Sequence, residues 1–153
     1  MALYILSHGY EGRLGKAAIS RRGLVYHIDS GWHTDGANDW ITISTGVDPQ
    51  KLAAMKTLLR EQLDLMISDP PSADEISAAR SHLLGRFVSA AQSNGELADN
   101  LANQWILHGG LPDYDNLKRR LYAVGQDEIM KMLPAFTNGS IVSVRNPPAK
   151  TRE

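Results

Sequence analysis

The sequence has no cysteine among its 153 residues. This absence excludes disulfide bonds, thiolate metal sites and a cysteine nucleophile. The formal net charge is only -1, so electrostatics give no reason to expect nucleic acid or an anionic membrane as a partner. No apolar run is long enough to cross a bilayer, and the first residues show no signal-peptide pattern. We therefore expect neither nucleic acid nor a membrane as a partner.

What the sequence does contain is typical of an ordinary soluble globular protein, with 42% hydrophobic and 22% charged residues. The length suits one domain with a sizeable core. We assign residues 1–146 to this single domain and residues 147–153 to a polar tail. The lack of cysteine fits a reducing compartment but does not exclude the periplasm, so the cytoplasm and the periplasm both stay open as locations.

Two alternating segments around a turn predict a β-hairpin. The first strand is predicted over 23–33, the turn over 34–39 and the second strand over 40–47. Each strand divides its side chains between two faces. One face of the first strand would carry Leu24, Tyr26 and Ile28, and one face of the second would carry Ile41, Ile43 and Thr45.

Apolar periodicity and capping residues predict helices on both sides of the hairpin. The predicted helices cover about 2–6, 13–21, 49–67 and 72–90, and an apolar helical stripe continues after the last of these to 108. A further helix is predicted over 112–124, followed by a short helix limited by Pro134. A last strand is predicted over 140–144. This order favours an α+β fold in which an antiparallel sheet is backed by several helices.

Few of the histidines form a pattern that could bind a metal. His8 and Glu11 would need a second histidine at position 12, which is glycine, so we interpret His8 as a structural residue. His27, Asp29 and His33 fall on one face of the first predicted strand. A solvated polar face is the simpler interpretation, and an independent metal site is the alternative. His82 is interpreted as structural.

A small basic group surrounds the start of the first predicted strand. It consists of Arg13, Lys16, Arg21 and Arg22, and Tyr26 follows a few residues later. Such a group is more often a solvated face than an anion site. We find no nucleophile-elbow motif and no phosphate-binding glycine motif that could supply a different chemistry.

Several motifs in order resemble the pitrilysin/insulinase-type zinc metallopeptidases, the family that includes mitochondrial processing peptidase. The run GRL followed by RRGLVY is similar to the SRL and REKRGLAY of their non-catalytic domains. Further similar segments are the strand-to-helix step at 45–52, the helix at 72–85 and the GGLP loop at 109–112. The resemblance extends over about residues 3–144.

The resemblance implies a partner domain rather than a catalytic one. These proteases arrange homologous α+β domains as a clamshell around a chamber, and one domain holds zinc through HxxEH and a distal Glu. The 153 residues contain no HxxEH. We expect no cofactor in this chain, zinc on a separate HxxEH-bearing domain or subunit, and the family's initial strand or strands upstream of this sequence.

In this family the partner domain often supplies an Arg and a Tyr seven residues apart, and the Tyr can donate a hydrogen bond to the developing oxyanion. Tyr26 matches the Tyr, whereas the Arg position is occupied by Ile19. Arg22 or Arg13 could replace this Arg in space, but neither lies seven residues before Tyr26. The substrate-binding candidates are therefore Tyr26 and Arg22. The alternative for Tyr26 is a half-buried aromatic on a sheet face.

The function expected from this resemblance is that of a substrate-chamber domain of a zinc-dependent endopeptidase, inactive in peptide hydrolysis by itself. Its partners would be an HxxEH-bearing catalytic domain or subunit and an extended peptide substrate, with a homo-oligomer as a further option. The alternative is a non-proteolytic interaction or scaffold subunit of the same fold. The missing Arg at Ile19 favours this alternative a little.

Overall fold

The chain opens with two short helices that pack against each other at very close range. A computed structural model describes residues 1–89, 93–111, 113–137, 139 and 141–142. Helix α1 covers Ala2–Ser7, and α2, Arg13–Gly15, runs directly into a π-helix over Lys16–Arg21. A Cβ atom at Gly15 would overlap the carbonyl oxygen of Gly9. Only glycine at this position allows the backbone of α2 to approach the loop after α1 so closely.

The hairpin forms as predicted, although both strands are shorter. Strand β1 covers Asp29–Thr34 and pairs antiparallel with β2, Asp39–Ser44, so that Trp32 lies opposite Ile41. In the turn between them, Gly36 has a φ of +87°, and the Asp35 carboxylate accepts from the backbone N–H groups of Ala37 and Asn38. Glycine favours such turns because it adopts a positive φ without steric cost, and aspartate because its carboxylate accepts nearby backbone N–H groups.

The prediction that the first strand begins at residue 23 is wrong. Only an isolated bridge between Val25 and Val47 continues the ladder beyond β1. Val25 and Ile28 are both buried, whereas Tyr26 is exposed, so Tyr26 and Ile28 do not share a face. The buried residues of this segment are three positions apart instead of two, because the segment leaves the sheet and packs against the helical core.

Alternation in the second strand is confirmed. Ile41 and Ile43 are half-buried, and the residues between and after them, Thr42 and Ser44, are exposed. One face of the hairpin therefore packs towards the helices while the other faces solvent.

Five longer helices follow the hairpin. They are α3 (Leu52–Ser68), α4 (Ala73–Ser89), α5 (Asn94–His108), α6 (Tyr114–Ala123) and α7 (Gln126–Thr137). A short 3-10 turn, Pro49–Lys51, precedes α3, and the Asp48 side chain accepts from the N–H of Gln50 there. Ser93 and Asp113 cap α5 and α6 in the same way. Gly109, with a φ of +69°, ends α5 in the left-handed conformation.

Three helix predictions need correction. Helix α7 does not stop at Pro134 but continues to Thr137, because Leu133 and Phe136 pack against the core and hold the last turn. Helix α6 begins at Tyr114, and the predicted start, Pro112, lies outside the described residues. The stripe predicted to continue to 108 is interrupted, since α5 begins at Asn94 as a separate helix, and its Trp105 is exposed.

The core lies between the N-terminal helices, α3, α4 and α7. It is built from aliphatic side chains that are almost fully buried, including Leu6, Leu14, Leu58, Met66, Ala79 and Leu133. In the described part of the chain, the architecture is a set of helices with one small antiparallel sheet, which confirms the predicted α+β fold class. Among the described residues, no helix is both long enough and apolar enough to span a membrane.

Most of the predicted last strand, 140–144, and the whole predicted tail, 147–153, lie outside the described residues. The domain boundary at residue 146 therefore stays a prediction.

Candidate functional site

The loop between the π-helix and β1 places Tyr26 in solvent on a fixed backbone. The Tyr26 side chain is 88% exposed. Its neighbours in the loop, Val25 and Ile28, are buried, and the Tyr10 hydroxyl donates a 3.4 Å hydrogen bond to the carbonyl oxygen of Tyr26. The alternative of a half-buried aromatic on a sheet face is therefore wrong. The phenol is available to a ligand while its backbone is held from several sides.

A π-helix carries the residue that replaces the family's Arg. Ile19 lies in the middle of this π-helix, is partly buried and packs against the core. Hydrogen bonds of wide spacing close the π-helix, from Arg22 N to Ala17 O at 3.2 Å and from Leu24 N to Ala18 O at 2.8 Å. The sequence predicts a helix here, but nothing in its local pattern distinguishes π from α geometry. Isoleucine at this position contributes packing and not charge.

Arg22 does not extend freely into solvent. Its Nη2 atom lies 3.1 Å from Glu61 Oε2, in an ion pair that joins the end of the π-helix to α3. The two side chains are 49% and 46% exposed, so water screens the pair and exchange with another anion costs little. Arg22 is thus partnered in this structure but still accessible.

Arg13 has a structural role that excludes it as a stand-in for the family's Arg. Its Nε and Nη2 atoms each lie 2.7 Å from one carboxylate oxygen of Glu75. Its Nη1 donates to the carbonyl oxygen of Asp69 at 2.6 Å. The side chain is only 14% exposed. These bonds hold the guanidinium between α2, the loop that precedes α4 and the first turn of α4.

Glu75 shows how strong this contact is. The Arg13 guanidinium, with help from the N–H of Ser72, lowers the pKa of Glu75 from 4.5 to about 2. The Ser72 hydroxyl in turn accepts from the N–H of Glu75 at 3.2 Å. Ser72 and Glu75 therefore form a capping box, and Glu75 also anchors Arg13.

The remaining cations of the basic group are exposed, and a distant lysine joins them. Lys16 and Arg21 are the first and last residues of the π-helix, and both are exposed. Lys51 Nζ donates a 2.9 Å hydrogen bond to the carbonyl oxygen of Gly23. Sequence reasoning missed Lys51 because 28 residues separate it from Gly23.

The histidines on the hairpin do not assemble as a metal site. His27 Nε2 lies 3.6 Å from Asp29 Oδ2, and both side chains are exposed. His33 stacks on Trp40 at 5.5 Å between ring centroids, and its Nε2 lies 2.8 Å from the Thr42 hydroxyl. Within the described part of the chain, no three His, Asp or Glu side chains come close enough to hold a metal ion.

A cluster of three rings, which sequence reasoning also missed, joins α1 to α4. The rings of Tyr4, His8 and His82 lie 4.2–4.5 Å apart between centroids. Burial lowers the pKa of His82, and the nearby His8 and Arg86 lower it further. The i, i+4 spacing of Tyr4 and His8 could have indicated their stacking, but only the fold brings in His82.

A shallow apolar groove lies between the hairpin, α3 and α7. Its volume is about 530 Å³, and its lining includes Trp32, Ile41, Ile43, Leu59, Leu63 and Phe136. Aromatic and aliphatic walls of this kind accept apolar side chains.

Comparison with known proteins identifies the family. A sequence profile for the family described as "Peptidase M16 inactive domain" matches residues 1–83, which is more than half of the 153 residues. No curated protein matches the chain.

Solved structures share the fold. A peptidase M16 inactive domain from Pseudomonas fluorescens aligns with a TM-score of 0.74 at 20% identity, over 86% of this chain and 32% of that one. A conserved protein from Enterococcus faecalis V583 aligns with a TM-score of 0.73 at 16% identity, over 88% of this chain and 32% of that one. A "putative zinc protease" from Bordetella pertussis Tohama I aligns with a TM-score of 0.66 at 18% identity, over 88% of this chain and 74% of that one.

This chain spans about a third of the length of the first two structures. At such identities, the three structures show a common fold. Together with the profile match, they confirm the metallopeptidase resemblance: the chain belongs to the family of inactive domains of M16 peptidases.

Proposed function

We propose that this chain forms the non-catalytic side of the substrate chamber of a zinc-dependent endopeptidase. The observation that carries the proposal is a family match to the inactive domain combined with Tyr26, 88% exposed on a fixed loop. No HxxEH occurs in the sequence. Zinc and the water it activates therefore belong to an HxxEH-bearing domain or subunit, which is the proposed partner.

In this arrangement Tyr26 acts on the peptide rather than on the metal. Its phenol donates a hydrogen bond to the carbonyl oxygen on which negative charge develops during attack. The buried neighbours Val25 and Ile28 hold the loop, so the donor is positioned before the substrate arrives. An extended peptide could also add to an open edge of the hairpin, whose sheet has two strands in the described part of the chain.

The second candidate is a non-proteolytic scaffold subunit with the same fold. Three contacts favour it: Ile19 packs against the core, Arg13 is bound to Glu75, and Arg22 is paired with Glu61. Two of the three arginines over 13–22 are thus paired with carboxylates, and Arg21 has no ion pair with a described residue. A neighbouring reading frame that encodes HxxEH would support the peptidase, and its absence would support the scaffold.

The test is hydrolysis of a quenched fluorescent peptide by this chain, by the HxxEH-bearing domain, and by both together with zinc. We expect activity only from the mixture, and activity from this chain alone would contradict the proposal. Tyr26→Phe should lower kcat of the mixture by about tenfold or more without changing the stability of the chain. Tyr122→Phe is the matched control, since Tyr122 is also exposed but lies on α6 beside Arg80.

If the mixture binds the peptide without cleaving it, and Tyr26→Phe changes nothing, the scaffold function is the correct one.

A further inference from the structure

We propose that four cations around Gly23 form a binding surface for acidic residues of the peptide that reaches Tyr26. We call this surface the basic rim, and it consists of Lys16, Arg21, Arg22 and Lys51. The inference rests on the proposed function, because it assumes that a peptide passes Tyr26, and it adds a substrate preference.

The π-helix brings the first two members of the basic rim together. Lys16 and Arg21 stand five residues apart, at its two ends. Hydrogen bonds of a π-helix link residues five apart, so these two positions lie on adjacent turns, one above the other. Both are exposed, whereas Ala17 and Ala18 between them are buried. Both cations are therefore on the solvent-exposed side of this π-helix.

Lys51 completes the basic rim through a tertiary contact. Its ammonium donates one hydrogen bond, 2.9 Å long, to the carbonyl oxygen of Gly23. An ammonium has three N–H donors, and this bond is the one that the described residues accept from it. The bond holds Lys51 against the loop that begins at Arg22 and leads to Tyr26, and the other two donors remain for a ligand.

The charge balance of the basic rim is strongly positive. Among the described side chains, Glu61 is the carboxylate that forms an ion pair with a member of the rim, namely Arg22. The rim contains four cations, one of them paired with a carboxylate, in a protein whose overall net charge is -1. Such a concentrated field attracts anionic ligands.

The position of the basic rim selects the kind of ligand. Gly23 lies three residues before Tyr26, so the carbonyl group that accepts from Lys51 and the exposed phenol belong to one loop. A peptide in contact with Tyr26 would present neighbouring side chains to the rim, and carboxylates complement its charge. Nucleic acid is disfavoured by the net negative charge of the chain.

The test measures binding of short labelled peptides to the intact chain by fluorescence anisotropy. The peptides differ only in whether selected positions carry Asp, Asn or Lys. The variant Lys16→Gln/Arg21→Gln removes two charges from the basic rim. The matched control Lys118→Gln/Arg119→Gln removes two charges from exposed positions of α6. Circular dichroism verifies that each variant is folded.

We expect the Asp peptide to bind most tightly, with an affinity that falls as salt is added. The rim variant should weaken its binding about three- to tenfold, which corresponds to two exposed charge contacts, and the control variant should not. Equal binding of the Asp and Asn peptides, no binding of the Asp peptide, or equal weakening by both variants would overturn the inference. The proposed function fails separately, if the mixture with the HxxEH-bearing domain shows no hydrolysis.

Discussion

Arg13 and Glu75, 62 residues apart in sequence, form a bidentate ion pair with two N···O distances of 2.7 Å. This contact fastens α2 to the first turn of α4, next to the capping box of Ser72 and Glu75. The Arg of the GRL motif therefore stabilises the domain. Since Glu75 is 28% exposed and Arg13 only 14%, solvent screens the pair less than it screens a surface pair.

Glu75→Gln should destabilise the domain by about 2 kcal/mol at neutral pH, because it removes a charge-assisted bidentate contact. Gln can still reach back to the Ser72 N–H, so the capping box survives and the change isolates the ion pair. Urea denaturation gives the free energy of unfolding. A loss of less than about 0.5 kcal/mol would show that the pair contributes little.

The same pair predicts a dependence of stability on acid. The folded-state pKa of Glu75 is depressed from 4.5 to about 2, so its contribution is complete above pH 4.5 and is lost as the pH falls from 4.5 towards 2. The free energy of unfolding, measured by urea titration at several pH values, should therefore decrease over this range. In Glu75→Gln the decrease should be smaller, and an unchanged slope would contradict this assignment.

Gly15→Ala should be among the most destabilising small substitutions in the chain, with a loss of about 3 kcal/mol or more. The added Cβ would overlap the carbonyl oxygen of Gly9, and backbone cannot move aside as a flexible side chain can. Gly85→Ala is the control, since a Cβ at this position of α4 meets nothing within 4 Å. It should stabilise the helix by about 0.5–1 kcal/mol, and thermal unfolding of both variants compares the two effects.

His82 should make the α1–α4 junction sensitive to mild acid. Burial, His8 and Arg86 lower its pKa in the folded chain below 6.5, so the unfolded chain takes up a proton first. Stability should therefore be complete above pH 6.5 and decrease as the pH falls through 6.5 to the lower folded-state pKa. NMR titration of the ring gives that pKa directly. His8→Gln should raise it, and a pKa that stays the same would exclude the influence of His8.

Breaking the Arg22–Glu61 pair should cost far less than breaking the Arg13–Glu75 pair. Both of its side chains are about half exposed, so a double-mutant cycle with Arg22→Gln and Glu61→Gln should give a coupling of about 0.2–1 kcal/mol. The measurement is the free energy of unfolding of the two single variants and the double variant. A coupling above about 2 kcal/mol would mean that Arg22 is committed to the fold and is not available to substrate.

Local signals in the sequence were sufficient for most of the helices and for the hairpin. Asp48 and Ser72 accept backbone N–H groups at helix starts, as their residue types predict. Ser93 does the same at the start of α5, although no helix start was predicted there. Gly36 takes the positive φ that the turn requires. The exception is the segment before β1, where a spacing of two predicts a strand but the burial of Val25 and Ile28 follows a spacing of three. Burial against helices decided the conformation there.

The candidate site was predicted less completely than the fold. Tyr26 and Arg22 were named from family motifs, but only the fold shows that Tyr26 is fully exposed and that Arg22 has Glu61 as a partner. Compared with the basic group found in the sequence, the basic rim includes Lys51 and lacks Arg13. No local sequence pattern indicates either difference. Charge partners are chosen by distance in space, which sequence spacing does not report across turns and loops.

By itself, the sequence determined the capped helix starts at Asp48 and Ser72, the hairpin turn, the absence of HxxEH and the family, because each depends on residue types at short spacings. Only the tertiary structure decided which charges are free, where Tyr26 points, and that His8 meets His82. The physical reason is range: capping and turn geometry act within a few residues, whereas burial and ion pairing depend on elements that the chain brings together from tens of residues away.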